Sequence, residues 1–181
     1  MKKQLIYLGM VLVTLILFTS CNGSHERKLA EIDKMEKELW SDPAGLIDEV
    51  KADELLRAYL DYPGLFPEDT NAPRLLMKAG ELMMSLKQPE QAAGIFKRLY
   101  EEYATHQLAS DALFMEAFVS ENDLRDLDRA RELYNRFLQD NPAHPLAKDA
   151  AICLEHLGKT PEQILQDMQN RQAADSSLVS E

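Results

Sequence analysis

A seven-residue phrase occurs twice in this chain, and its spacing constrains the fold more than any other feature. His106-Gln107-Leu108-Ala109-Ser110-Asp111-Ala112 returns 38 residues later as His144-Pro145-Leu146-Ala147-Lys148-Asp149-Ala150, identical at five of seven positions. The flanking pairs Phe96/Tyr134, Arg98/Arg136 and Leu99/Phe137 keep the same register. Self-similarity at such a period marks stacked supersecondary units, each burying its apolar face against the next.

The units are helical. Only seven glycines and eight prolines occur in 181 residues, the prolines punctuate rather than pervade, and 45% apolar content suffices for a continuous core. Apolar residues recur at three- and four-residue spacings, predicting helices over 28–40, from 44 or 47 to 62, then 73–86, 90–103, 109–121, 127–139, 147–157 and 161–171. Pro63-Gly64, Pro89, Asn141-Pro142 and Gly158 mark stops. No strand-like alternation is present, and 172–181 reads as a disordered tail. The formal charge of −11 becomes −13 if Lys2 and Lys3 leave with a leader. Such a surface repels phosphate backbones, which argues against a nucleic-acid partner.

Residues 1–20 have the form of an export signal: Lys2 and Lys3, then an apolar run from Leu5 to Phe18, then Thr19 and Ser20. The run is 14 residues, short of the roughly 20 that span a bilayer. Leu17-Phe18-Thr19-Ser20-Cys21 resembles a bacterial lipobox, although Phe18 departs from its usual small or β-branched residue. The resemblance implies cleavage before Cys21 and a covalent lipid there, with 21–27 as a lipidated tether and no other cofactor. A retained membrane anchor and an ordinary secreted protein are the alternatives. With Asn22 after the cysteine, the resemblance favours the outer membrane over the inner; the periplasmic face is the expected location, and the leaflet is open. Cys153 is then left without a disulfide partner.

Several residues stand where the tetratricopeptide repeat places its small and aromatic positions. Gly80, Ala92 and Phe96 mark one unit, and Ala117, Ala130, Tyr134 and Pro142 the next. Thirteen residues separate Ala117 from Ala130, against twelve from Gly80 to Ala92, so a longer turn is expected in the second unit. The third has Ile164 in place of the alanine, while Pro161-Glu162-Gln163 matches Pro89-Glu90-Gln91. Tyr59, Tyr62, Phe66 and Pro67 align with Phe96, Leu99, Tyr103 and Ala104, giving a divergent leading pair over 28–67 ahead of repeats over 68–171. The chain thus resembles an all-α, antiparallel helix-pair, right-handed solenoid of three to four tetratricopeptide-like repeats. Together with the lipobox it resembles envelope lipoproteins of the BamD and CpoB types. That resemblance implies a non-enzymatic scaffold for an envelope protein or peptide, as a member of an outer-membrane complex.

The same resemblance places a partner-binding groove on the first helices of the pairs: Arg74, Met77, Glu81 and Met84; then Asp111, Phe114, Phe118, Glu121 and Asn122; then Asp149 and Ile152. Met77, Phe114 and Ile152 are also candidates for packing between repeats. Cys153 and His156 lie three apart on one helix face and could supply two metal ligands, but a tetrahedral site needs more, and no metal is expected. No His-Glu-x-x-His, Gly-x-Ser-x-Gly or phosphate loop occurs. A self-associating structural protein and a cell-wall hydrolase are the competing functional classes.

Overall fold

The computed structural model describes residues 23–43 and 45–178. The leader, Cys21 and residues 179–181 lie outside them. Regular structure among the described residues is entirely helical: α1 (23–39), α2 (Glu49–Leu65), α3 (Asn71–Ser85), α4 (Pro89–Glu102), α5 (Leu108–Asn122), α6 (Leu127–Asp140), α7 (Ala147–His156) and α8 (Pro161–Leu178). This is the all-α helix-pair architecture that the repeated phrase implies. The chain forms two compact units, one ending at Leu82 and one beginning at Met83. That division falls inside α3 and not at the 67/68 boundary suggested by the repeat register.

In the first unit, Ile32 and Leu39 of α1, Leu55, Tyr59 and Tyr62 of α2, and Leu75, Leu76 and Leu82 of α3 are buried. Asp48 starts α2 by accepting from the N–H groups of Val50 and Lys51 at 3.0 and 3.2 Å, which removes two of the unpaired donors at a helix start. A carboxylate on α1 ties the three helices together. Glu36 Oε1 accepts from the Tyr59 hydroxyl at 2.9 Å and from Lys78 Nζ at 2.6 Å. Burial, and then the bond to Glu36, push the Tyr59 hydroxyl well above its ordinary value, so it remains a donor.

A second carboxylate closes the far end. Asp69 accepts from the buried Tyr62 hydroxyl at 2.8 Å and from the backbone and side-chain N–H of Asn71, each at 2.8 Å. His25 Nδ1 of α1 lies 2.9 Å from the same carboxylate. Burial pushes Asp69 up, but the bonds from Asn71 and Tyr62 and the charge of His25 outweigh it and hold its carboxyl below the ordinary carboxylate range.

The second unit is stacked in chain order, α4 against α5, α5 against α6 and α6 against α7. Its core joins Leu113, Ala117, Ala130, Leu133, Tyr134, Phe137 and Ala150. Ala117 and Ala130 are both fully buried, as the close approach of α5 and α6 requires. The repeated phrase is repeated in atomic detail. His106 Nδ1 accepts from Leu108 N–H at 3.1 Å, and His144 Nδ1 from Leu146 N–H at 3.2 Å. Ala109 N–H donates to His106 O and Ala147 N–H to His144 O, both at 2.9 Å.

The turns between helices also repeat. Lys87 (φ 57°) and Arg125 (φ 56°) are left-handed at positions 38 residues apart, and Gly158 (φ 77°) serves the next turn. Asp126 starts α6 by accepting from Arg129 N–H at 3.0 Å, and the Arg129 guanidinium reaches back to the buried Glu116 of α5 at 2.8 Å. Thr160 and Gln163 cap α8 reciprocally, with Thr160 N–H donating to Gln163 Oε1 at 2.8 Å and Gln163 N–H to Thr160 Oγ1 at 3.3 Å.

Three boundaries differ from expectation. Helix α1 begins at 23, inside the stretch read as a tether, and its first turn is held by His25. Helix α2 continues through Pro63-Gly64 because Tyr62 and Pro63 are buried and Phe66 N–H closes the turn on Tyr62 O at 2.9 Å. Proline near the end of a helix forfeits one bond, which this burial offsets. Helix α8 runs to Leu178, so the stretch expected to be disordered from 172 is helical that far.

Two stability measurements test these contacts. Asp69→Ala strands the buried Tyr62 hydroxyl and should lower the unfolding free energy by about 1–3 kcal/mol at neutral pH. The depressed Asp69 value adds stability at neutral pH that is lost as pH falls through it, so the gap between wild type and variant should narrow in acid. Arg129→Ala leaves the Glu116 charge buried and should cost about 3 kcal/mol. Adding Glu116→Gln should restore much of that loss in urea titrations.

Candidate functional site

A cleft of about 600 Å³ opens on the second unit. Phe118, Glu121 and Asn122, at i, i+3 and i+4, share one face of the last turn of α5 and form one wall. Ile152, Cys153 and His156 of α7 form the facing wall. Arg125 of the α5–α6 turn, Leu127 at the start of α6, and Gly158, Lys159, Pro161 and Ile164 around the start of α8 close the ends. Four of the residues expected to line a groove, Phe118, Glu121, Asn122 and Ile152, are therefore brought together.

The cleft is apolar with charged margins. Phe118 and Ile152 are 36% and 45% exposed, well above what a packed side chain retains. Glu121 is fixed by the fully buried Tyr134, whose hydroxyl donates to its Oε2 at 2.9 Å. Burial, then hydrogen bonds with Cys153 and Glu121, push that hydroxyl far up, so it holds its proton. Asn122 Nδ2 donates to Phe118 O at 3.0 Å. Arg125 and Lys159 place positive charge on other edges, Lys159 being paired with Asp167 at 2.8 Å. Gly158 is needed for the shape: besides its positive φ, a Cβ there would lie 2.8 Å from Leu127 Cδ1.

Cys153 and His156 share the α7 wall, but the thiol is not primed for coordination. Burial pushes it up and outweighs the opposing hydrogen bonds with Tyr134 and the backbone, and the charges of Glu121 and Asp149 act in the same direction as burial. A metal ligand or nucleophile needs the thiolate. Among the described residues no group of three or more His, Cys, Asp or Glu is placed to hold a metal ion.

The other groove candidates are placed differently. Phe114 follows the packing alternative: its ring lies edge-on against Tyr134 and Phe137, with centroids 5.8 and 5.7 Å apart, on the margin of the core. Asp111, half-buried, faces His144 Nε2 of the following repeat at 3.6 Å and links the two copies of the phrase. Asp149 is exposed on α7 and acts on Cys153 through its charge. Met84 is half-buried on the last turn of α3. Arg74, Met77 and Glu81 belong to the first unit, Arg74 and Glu81 exposed and Met77 half-buried. Partial burial raises the Glu81 carboxyl, opposed by Lys78. Cys21 lies outside the described residues.

Arg125, Leu127, Lys159 and Ile164 were not legible as cleft residues from helix periodicity, because Arg125 and Lys159 sit on turns and Leu127 and Ile164 in the first turns of their helices. The left-handed pair Lys87/Arg125 shows that the 38-residue ruler extends to the turns and so locates Arg125.

The distinction between Phe114 and Phe118 is measurable by urea denaturation. Phe114→Ala should cost about 3–5 kcal/mol as a core truncation. Phe118→Ala should stay within about 0.5 kcal/mol of wild type, as expected for an exposed position.

A family model described as tetratricopeptide repeat matches residues 74–106 and 111–144. No curated protein matches the chain. The two matched segments fall on α3–α4 and α5–α6 with their turns, and these two helix pairs are similar to tetratricopeptide repeats.

Proposed function

We propose that this protein is a non-enzymatic, lipid-anchored scaffold of the bacterial cell envelope, held at the periplasmic face of the outer membrane through Cys21. The cleft between α5, α7 and the start of α8 takes an apolar segment of another envelope protein. The observation that carries this reading is the cleft itself. Exposed Phe118 and Ile152 face one space, while a buried tyrosine spends its hydroxyl holding Glu121 at the rim. Surface apolar side chains gathered in one concavity and bordered by oriented charge suit a peptide or helix ligand. The anchor rests on the basic start, the 14-residue apolar run and the lipobox-like Leu17–Cys21. Two or three acyl chains meet the requirement for stable membrane attachment. The resemblance to BamD-type lipoproteins favours a role in outer-membrane assembly.

The test is co-purification from detergent-solubilised membranes with intact-mass analysis of the bait. Phe118→Ala with Ile152→Ala should reduce partner recovery by at least about tenfold, the equivalent of 1.4 kcal/mol, without loss of fold. Undiminished recovery places binding on another face. An acylated Cys21 is the expected mass, and an unmodified one removes the anchor.

A further inference from the structure

We propose that the end of the first unit formed by the start of α1 and the α2–α3 turn rests on the lipid bilayer, with Leu65 as its apolar contact. This rests on the lipidation of Cys21. One residue separates Cys21 from Gly23, where α1 begins. Consecutive Cα atoms are 3.8 Å apart, so the Cα of Cys21 lies within about 8 Å of that of Gly23 whatever the conformation of Asn22. Acyl chains on the cysteine sulfur enter the hydrocarbon, which brings the first turn of α1 to the headgroups.

That turn is in contact with the rest of the unit. His25 Nδ1 is 2.9 Å from Asp69, and the His25 ring meets Phe66 edge-on at 6.2 Å. Asp69 is in turn bonded to Tyr62. The lipidated end of α1 and the α2–α3 turn are thus one piece, and what the anchor draws to the membrane includes that turn.

The turn presents an apolar side chain there. Leu65 is 59% exposed, although Tyr62 and Pro63 just before it are buried. The charges nearby are mixed: Glu26 and Glu68 against Arg27, with Lys28 paired to Glu31 at 2.8 Å. Acidic residues outnumber basic ones in this set, which gives no attraction to anionic lipid, so zwitterionic vesicles are the appropriate surface.

The chain carries its own depth gauge. Trp40, the single tryptophan, is 56% exposed at the opposite end of α1, 15 residues beyond His25. At 1.5 Å per residue this is about 22 Å along the helix. Full-length protein extracted from membranes is reconstituted into phosphatidylcholine vesicles containing a headgroup-nitroxide lipid, and tryptophan emission is read. Trp40→Phe with Leu65→Trp reports from the proposed contact. Trp40→Phe with Glu68→Trp is the second reporter, should the first disturb folding.

The expected result is severalfold quenching of the reporters at 65 and 68, with the emission of wild-type Trp40 nearly unchanged. Equal quenching at both ends, or none at 65 and 68, overturns the contact while an acylated mass at Cys21 leaves the anchor standing. An unmodified Cys21 overturns both.

Discussion

Each repeat of the second unit is admitted through a turn that depends on one imidazole nitrogen. His106 and His144 use Nδ1 to accept the backbone N–H two residues on. That role requires Nδ1 to be bare, with the proton on Nε2. The turn sets the direction in which α5 and α7 leave, and that direction brings Ala112 and Ala150 into the core. At the second copy the other nitrogen faces Asp111 of the first, and Ser110 bonds Asn141 alongside it. Register within a repeat and contact between repeats are therefore set by the same few atoms. A histidine repeated in sequence is usually weighed as a ligand, and here its polarity is consumed by backbone geometry.

The fold was legible because its signals are periodic. Helix spacing, small residues at the crossings and the 38-residue ruler all act locally and recur, so each copy reinforces the reading of the others. The failures cluster where a non-local contact overrides a local stop signal. Pro63-Gly64 is a strong terminator, yet α2 passes through it because Tyr62 is anchored by Asp69, a residue beyond the helix. The start of α1 was missed for the same reason, since His25 owes its order to Asp69, far along the chain.

The cleft was half legible. Periodicity finds Phe118, Glu121 and Ile152, which lie on helices, but cannot say whether a half-exposed aromatic faces solvent or a neighbour. Phe114 and Phe118 are four residues apart and look equivalent in sequence. They diverge because Tyr134 and Phe137 lie over the first and not the second. The turn residues that complete the cleft depend on two left-handed backbone positions, Arg125 and Gly158.

The clasp of His25, Asp69 and Tyr62 has a mechanical consequence. Tension on the chain ahead of residue 23 enters the folded part at the first turn of α1, next to that clasp. The helix behind it carries load along a ladder of backbone bonds, but the clasp is a few side-chain contacts and would bear the pull first. Two of its members, Asp69 and Tyr62, are also bonded to each other, so the pull is shared with the buried Tyr62 of α2.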